Sequence, residues 1–325
     1  MKAAVYTHYG PPEVVHIEDL PTPFPTDNQV LIKIRAASVA AGDWRMRRAD
    51  PFAARLFNGL FRPRRVTILG FELAGEIEAV GKGVTGFKPG DQVFAACGMA
   101  FGAHAEYVCL PVKANPQKGR EIAPKPSKLS FEEAAAVPVG ATTALRFLRK
   151  GSIRKDIEVL IYGASGSVGT YAVQLAKYYG ARVTAVCSTA HLDMVHSLGA
   201  DRVIDYKKED FTQNGVAYDL IMDTVGNVPW SRAQGSLRPG GRLLAVAGSL
   251  PDMLRMPWVA LTSDKKLLAG VATESAGDLQ LLAELTSTAN YRPVIDRSYP
   301  LAQMAEAHRY VDGGHKRGNV VISVE

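Results

Sequence analysis

The sequence predicts an α/β protein in which a doubly wound parallel sheet is joined to a separate β-rich module. Three observations carry that prediction. Short apolar runs alternate with helical stretches between about Ser130 and Val271, which is the pattern of repeated strand-helix units. The stretch before Ser130 has brief alternating segments divided by Gly and Pro, the pattern of an all-β module. The length of 325 residues, with 47% apolar and 22% charged side chains, suits about two domains with cores of their own.

In the N-terminal module, Val30, Ile32 and Ile34 share one face of a strand while Leu31, Lys33 and Arg35 share the other. Further strands are expected at Gly75–Val80, Asp91–Ala95 and Ala105–Leu110, with Lys88-Pro-Gly-Asp91 as a turn. Ser130-Phe-Glu-Glu133 carries a capping residue three positions before a Glu and marks a helix start. Six strands then follow: Glu158–Tyr162, Arg182–Cys187, Arg202–Asp205, Asp219–Asp223, Arg242–Ala247 and Leu267–Val271. Between them, Val168–Tyr179 reads as a helix stopped by Gly180, and Leu192–Leu198 as one stopped by Gly199. A helix at Leu279–Thr286, another at Ala302–Tyr310 and a strand at Val320–Val324 return the chain to the first module. The expected division is therefore 1–128 with 273–325, and 129–272.

The three cysteines, Cys97, Cys109 and Cys187, form no C-x-x-C pair, so neither a disulfide framework nor an all-cysteine zinc site is expected. No apolar run is long enough to span a bilayer and the first residues lack a secretory signal pattern, which together point to a cytoplasmic protein. The net charge is +6. Arg45, Arg47 and Arg48, then Arg62, Arg64 and Arg65, alternate with Phe52, Phe57 and Phe61. Membrane-surface and RNA-binding readings of this segment compete with a plainer one, solvated arginines on a loop over a pocket. The plainer one is preferred, so neither a membrane nor a nucleic-acid partner is expected.

Strand Val159-Leu-Ile-Tyr162 runs into Gly163-Ala164-Ser165-Gly166-Ser167-Val168-Gly169 and then into an apolar helix. A Gly-rich loop between a strand and a helix N-terminus can hold a pyrophosphate on backbone amides. Against the G-x-G-x-x-G fingerprint, Ala164 stands at the first Gly, and Gly166 and Gly169 at the second and third. NAD-specific sites usually carry an acidic residue at the end of the second strand. Here Cys187-Ser188-Thr189 occupies that place, and Tyr206 with Lys207 and Lys208 follows the third strand. Ser188, Thr189 and Tyr206 are thus candidates for a 2′-phosphate, and NADPH is the expected cofactor. Ser188 and Thr189 also suit a helix cap.

The chain resembles the medium-chain dehydrogenase/reductase superfamily in its zinc-independent quinone oxidoreductase branch. The resemblance rests on Tyr9-Gly-Pro-Pro-Glu-Val14, Gly70-Phe-Glu-Leu-Ala-Gly75, Val80-Gly-Lys-Gly-Val84, Gly90-Asp-Gln-Val93, Ala105-Glu-Tyr107, Gly163–Gly169, Leu198-Gly-Ala-Asp201 and Asp223-Thr-Val-Gly226. It implies a GroES-like catalytic domain built from both chain ends, a Rossmann-type NADP domain and a substrate cleft at their junction. It also implies NADPH-dependent reduction of quinones or activated enones by a homodimer. Zinc-dependent relatives carry Cys in the segment here written Ala40-Ala-Gly-Asp43 and His where this chain has Phe71, so that site lacks its ligands.

The reductase branch commonly has Asn at the position of Ala40 and Tyr at that of Arg45, with only Asp43 retained here. Asp43, Trp44 and Arg45 are the catalytic candidates, and His104 is a further donor by position. The resemblance also places Thr143, Ala247, Gly248 and Asn319 beside the cofactor. Phe52, Phe57, Phe61 and Phe71 are expected at an apolar mouth, and the strand Leu267–Val271 at a two-fold dimer edge. The alternatives are an enone or aldehyde reductase using the same cofactor, and a non-catalytic NADPH-binding protein with an RNA-binding surface.

Overall fold

Side chains that alternate between apolar and polar bury one face of a strand, whereas strands covered on both faces read as continuous apolar runs. Both kinds occur here, in different parts of the chain. The computed structural model describes residues 1–113, 121–248, 250–270, 277–287 and 291–324. Two compact units emerge, Met1–Val139 with Glu274–Glu325, and Gly140–Thr273.

The first unit begins with β1 (Lys2–Tyr6), β2 (Val15–Asp19) and β3 (Gln29–Val39), then helices α1 (Ala41–Arg48) and α2 (Ala54–Asn58). Strands β4 (Glu72–Val80), β5 (Gln92–Ala96), β6 (Tyr107–Pro111) and β7 (Glu121–Pro124) follow, and then α3 (Phe131–Ala135). Helix α4 (Pro138–Lys150) contains the division between the units. The second unit alternates β8 (Glu158–Tyr162), α5 (Ser167–Tyr178), β9 (Arg182–Cys187), α6 (Leu192–Ser197), β10 (Arg202–Asp205), β11 (Tyr218–Asp223), α7 (Trp230–Ala233), β12 (Leu237–Ala245), α8 (Leu250–Thr262) and β13 (Lys266–Ala269). The chain ends with α9 (Asp278–Thr286), β14 (Ile295–Pro300), α10 (Met304–Asp312) and β15 (Asn319–Ser323) in the first unit.

In the first unit, one sheet runs β14-β15-β3-β4-β5-β7, with β6 also paired to β3 and with β1 and β2 as a separate ribbon. Strand β15 pairs antiparallel with β3, so the last strand does return to the first module. Val30, Ile32 and Ile34 are buried as their alternation requires, but Leu31 is buried too, because β3 lies inside the sheet. Strands β7 and β14 escape the sequence reading. They stand at the two ends of the sheet, where strands are short and polar and the alternation signal fades.

The second unit is a six-stranded parallel sheet in the order β10-β9-β8-β11-β12-β13, which is the 3-2-1-4-5-6 order of a doubly wound nucleotide-binding fold. Val159, Leu160 and Ile161 are wholly buried, as strands covered on both faces must be. Gly180 and Gly199 take the positive φ expected of helix stops. The strand expected at Arg242–Ala247 is instead Leu237–Ala245, since Val246 and Ala247 already turn. The strand expected at Leu267–Val271 is Lys266–Ala269, and Val271 lies outside the described residues. The Ser130 cap forms as read, with Ser130 Oγ accepting from Glu133 N at 3.1 Å and Ser130 N donating to Glu133 Oε2 at 2.9 Å. The helix it opens lasts only to Ala135 and packs on β3 and β4 of the first unit.

Helix α1 turns Asp43, Met46 and Arg47 inward and leaves Arg45 and Arg48 outside. The Arg47 side chain is fully buried, and its Nη2 donates to Asp312 Oδ2 at the end of α10, tying the two helices. Breaking such a pair strands a charge in a dry interior. Asp312→Ala is therefore expected to destabilise the first unit by about 3–5 kcal/mol in urea unfolding. A loss below about 1 kcal/mol would show instead that the pair behaves like a solvated surface bridge.

Candidate functional site

Parallel strands send their following loops to one edge of the sheet, and ligands bind there where the strand order reverses. In the second unit the reversal lies between β8 and β11. Strand β8 ends at Tyr162 and the chain turns immediately, with Gly163 at φ 80°. A side chain there would meet Thr224 Oγ1 at 2.6 Å. The fingerprint reading puts Ala164 at the first Gly, but the left-handed turn falls one residue earlier, which is why a buried Ala is tolerated at 164. Gly163 N and Ala164 N both donate to Val186 O at 3.0 Å, bending the loop over β9.

The two remaining glycines do different work. A Cβ on Gly169 would stand 2.2 Å from Gly163 O and 2.7 Å from Ala164 Cα, so only Gly lets α5 pack against the loop. A Cβ on Gly166 would meet nothing closer than Gly163 O at 3.5 Å. Gly166 is thus not needed by the protein's own packing, and its bare backbone leaves room for a ligand. It is also the N-cap of α5 and supplies no side-chain cap, so the helix N-terminus presents its amides and positive dipole end to an anion. Ser165, Gly166, Ser167 and Val168 are half-buried along this rim. A pyrophosphate fits that cradle by size and charge.

The loop after β11 braces it. Thr224 Oγ1 donates to Tyr162 O at 2.9 Å and Gly163 O at 3.2 Å. Buried Asp223 accepts from the amides of Val225 at 3.0 Å, Gly226 at 2.9 Å and Val228 at 2.7 Å. Burial pushes its carboxyl up, against those three amides. The sequence reading has the motif Asp223-Thr-Val-Gly226 but gives it no role, and Asp–Thr directly after an apolar strand is the signal that finds it. A Cβ on Gly226 would come within 3.5 Å of Ala247 O, so the Ala247–Gly248 turn after β12 reaches the same loop. Thr143 sits half-buried on α4, one turn beyond Gly140, whose missing side chain makes room for Ser167 Oγ.

At the end of β9 one expectation needs correction. Cys187-Ser188-Thr189 indeed lacks a carboxylate, but Asp205 lies opposite Cys187 in the β9–β10 pairing and brings one to this edge. Thr189 Oγ1 donates to Asp205 Oδ2 at 2.6 Å, which holds that carboxyl below its ordinary range. The Thr189 hydroxyl hydrogen is therefore spent on Asp205. Ser188 is half-buried, Tyr206 is 45% exposed, and Lys208 Nζ lies 3.9 Å from Asp205 Oδ2. Cys187 is buried, and burial pushes its thiol up to about 11.

The catalytic candidates and Asn319 lie in the first unit. Asp43 is wholly buried, with Oδ2 accepting from Ala40 N at 2.7 Å and Oδ1 from Gly70 N at 2.8 Å. Both oxygens accept from backbone amides, so Asp43 ties the start of α1 to the Gly70 turn. Trp44 is half-buried against the core, with the Arg45 and Arg48 guanidiniums 5.5 and 5.9 Å from its ring centre. Arg45 alone of the three is exposed. Asn319 is buried, and its Nδ2 donates to Val294 O at 3.1 Å. Phe71 stacks on Phe101 with ring centres 4.2 Å apart and fills the space over Gly42.

Behind α1 lies a polar cluster that the sequence reading does not assemble. Glu72 is buried, accepting from Ser38 Oγ and from Val139 N at 2.6 Å, and burial pushes its carboxyl up to about 8. His104 is buried with Nε2 against Ser38 O at 2.9 Å, so it is a core group and not an exposed donor. Its ring stands edge-on to that of His308, 5.7 Å away. Burial, then His104 and Arg47, hold His308 well below the ordinary imidazole range, so it is neutral. Nothing in the local sequence around His308 announces this; α10 and the His104 turn meet only in the fold.

Residues 26–118 match the family described as alcohol dehydrogenase GroES-like domain, and residues 198–322 that described as zinc-binding dehydrogenase. The chain is 32% identical over 340 residues to the quinone-oxidoreductase homolog, chloroplastic, of Spinacia oleracea, covering 99% of this chain and 98% of the relative. It is 30% identical to the NADPH-dependent alkenal/one oxidoreductase, chloroplastic, of Arabidopsis thaliana, over 99% of this chain and 79% of that one. Among solved structures, the quinone oxidoreductase from Coxiella burnetii superposes with a TM-score of 0.89 at 30% identity, covering 100% of this chain and 99% of that one.

The different surroundings of Gly166 and Gly169 give opposite expectations. Gly169→Ala should destabilise the second unit by about 3 kcal/mol or more, because the obstructing atoms are backbone. Gly166→Ala should leave the urea midpoint nearly unchanged and weaken binding of a nicotinamide dinucleotide about tenfold or more, read by fluorescence titration with NADPH and NADH. Equal stability losses in the two variants, or full dinucleotide affinity in Gly166→Ala, would remove the cradle assignment.

Proposed function

Since the chain belongs to the medium-chain dehydrogenase/reductase superfamily, in its quinone-oxidoreductase-like branch, and is an oxidoreductase, we propose that it transfers hydride from NADPH to a quinone or activated enone without a metal. The observation that carries the reading is the cradle above Gly166, braced by Thr224 at the reversal point of the parallel sheet. A nicotinamide cofactor supplies the hydride when bound. The protein's share is placement. Gly163–Gly169 would hold the pyrophosphate, with Thr143, Ala247 and Gly248 assigned to the nicotinamide end, and Asn319 to a positioning role through Val294.

Reduction of a quinone or enone builds negative charge on the substrate oxygen, which needs donors aimed at it. Arg45 is the exposed cationic donor among the catalytic candidates, and Trp44 carries its guanidinium. Asp43 acts through α1 by holding its first turn. Solvent supplies the proton, since a hydroquinone or enolate takes one up readily. Metal independence is argued from the residues, because Phe71 stands where a ligand would be needed and its ring is packed against Phe101.

For the 2′-phosphate, Ser188 and Tyr206 are the proposed donors. Asp205 stays ionised beside that position, accepting from Thr189 Oγ1 and from Lys207 N at 3.0 Å, and the Lys208 ammonium 3.9 Å away offsets part of its charge. Initial rates with NADPH and NADH against a naphthoquinone, an enone, an aldehyde and ethanol test the reading, before and after dialysis with a chelator. NADPH with the quinone or enone should lead, with kcat/KM about ten- to a hundredfold above NADH. Ser188→Ala and Tyr206→Phe should each shrink that ratio, and chelation should change nothing. Equal use of NADH, or a stoichiometric chelator-sensitive zinc, would sink the proposal. The Arabidopsis relative named an alkenal/one oxidoreductase supports a second reading, and enone rates well above quinone rates would select it.

A homodimer is proposed through the second unit. Strand β13 ends its sheet, and α8, which packs on β13, exposes Leu254 at 72%, Trp258 at 68% and Leu261 at 85% along one stripe. An open edge beside an apolar stripe suits a self-complementary partner. Light scattering at micromolar concentration should give twice the chain mass, and Trp258→Glu should halve it. A monomeric wild type would refute the arrangement.

A further inference from the structure

The segment from Trp44 to Leu69 contains seven arginines, one aspartate, and no lysine or glutamate, a net charge of +6. The whole chain carries +6, so this stretch holds the entire excess and the remainder is formally neutral. Arg47 is buried against Asp312. The other six, Arg45, Arg48, Arg55, Arg62, Arg64 and Arg65, form no ion pair among the described residues. Cations concentrated in one place without counter-charges define a surface for an anionic partner.

The apolar side chains of the same segment separate the possible partners. Phe61 is 87% exposed, Leu56 78%, Phe52 65% and Leu60 47%. The sequence reading expects solvated arginines over a pocket, with the phenylalanines at its mouth. Phe57 and Phe71 do pack on the core, but Phe52 and Phe61 stand out in solvent beside the arginines. Large apolar groups held in water are costly unless something covers them.

These groups are held out. Asn58 is buried, and its Nδ2 donates to Tyr6 Oη at 2.8 Å and Val66 O at 3.1 Å while its Oδ1 accepts from Val66 N at 2.7 Å. Arg64 N donates to Asn58 O at 2.8 Å, and Tyr9 Oη to Gly59 O at 2.8 Å. Both ends of the Gly59–Arg65 loop are therefore pinned to one interior residue, and its tip cannot fold Leu60 and Phe61 back onto the core. Beside the tip, Gly59, Leu60, Phe61, Arg62, Arg64 and His8 line a concavity of about 550 Å³.

We propose that α2 and the Gly59–Arg65 loop form a docking surface for an anionic phospholipid bilayer, with Leu56, Leu60 and Phe61 entering the acyl boundary and the exposed arginines meeting lipid phosphates. Apolar wedges ringed by cations match the headgroup interface, where the two kinds of group find their solvents a few ångströms apart. No helix among the described residues is long and apolar enough to cross a membrane, so attachment would be interfacial. A nucleic acid would use the arginines but give Leu56 and Leu60 no partner, whereas a lipid surface uses both.

Co-sedimentation of the full chain tests this with vesicles of phosphatidylcholine alone, vesicles with about 30% phosphatidylserine, and a single-stranded oligouridine in parallel. Binding is expected to the phosphatidylserine vesicles only, falling steeply in about 0.5 M salt. Arg62→Gln with Arg64→Gln should weaken it about thirtyfold, and Leu56→Ser with Phe61→Ser about tenfold or more. These side chains are solvent-exposed, so circular dichroism and urea midpoints should not move in either pair. Vesicle binding that ignores the Leu56/Phe61 pair would overturn the proposal in favour of a purely electrostatic surface. Preference for the oligonucleotide, or absence of vesicle binding, overturns it outright.

Discussion

A side chain on Gly169 would lie 2.2 Å from the carbonyl of Gly163, and the packing of the Gly-rich loop in the second unit depends on that space staying empty. It lets α5 close directly on the loop that leaves β8. The loop can then turn at Gly163, receive the Thr224 hydroxyl from the neighbouring strand and leave its outer face bare at Gly166. Each contact fixes the next, so the shape of the loop is set by the protein's own packing.

The first unit handles polarity differently. Asp43, Glu72, Arg47, His104 and His308 are all withdrawn from solvent; both Asp43 oxygens, Glu72 Oε2 and His104 Nε2 meet backbone groups, while neither His308 nitrogen has a hydrogen-bond partner among the described residues. Such groups hold helices and turns in place at the expense of desolvation, which explains why burial drives the Glu72 carboxyl upward and the His308 imidazole downward. Asp43 holds the first turn of α1 through the amides of Ala40 and Gly70. Arg45, two residues on, is exposed and is the donor proposed for the substrate oxygen.

Charge is distributed as unevenly as polarity. The excess arginines lie within 26 residues that also expose Phe52, Leu56 and Phe61, while the second unit exposes apolar side chains on α8 with no comparable cluster of cations. One chain thus carries two apolar surfaces of different electrostatic character. The neutral stripe next to an open strand edge is the surface proposed for a second copy, and the cationic apolar loop the one proposed for an anionic bilayer.

The sequence by itself determined the parallel sheet, its strand order of entry and the Gly-rich loop, because these depend on local signals: continuous apolar strands, capping residues, helix-stopping glycines and a strand-loop-helix junction. Ser130 with Glu133, and Gly180 and Gly199, show how fully a short-range rule can be read. The tertiary structure decided what depends on residues distant in the chain. It moved the turn from Ala164 to Gly163, brought Asp205 alongside Cys187, set Arg47 against Asp312, placed His308 edge-on to His104, and left Phe61 outside while packing a half-buried Phe57 on the core. Strand register, helix packing and burial set the partners in each case, and none of the three is a property of neighbouring residues alone.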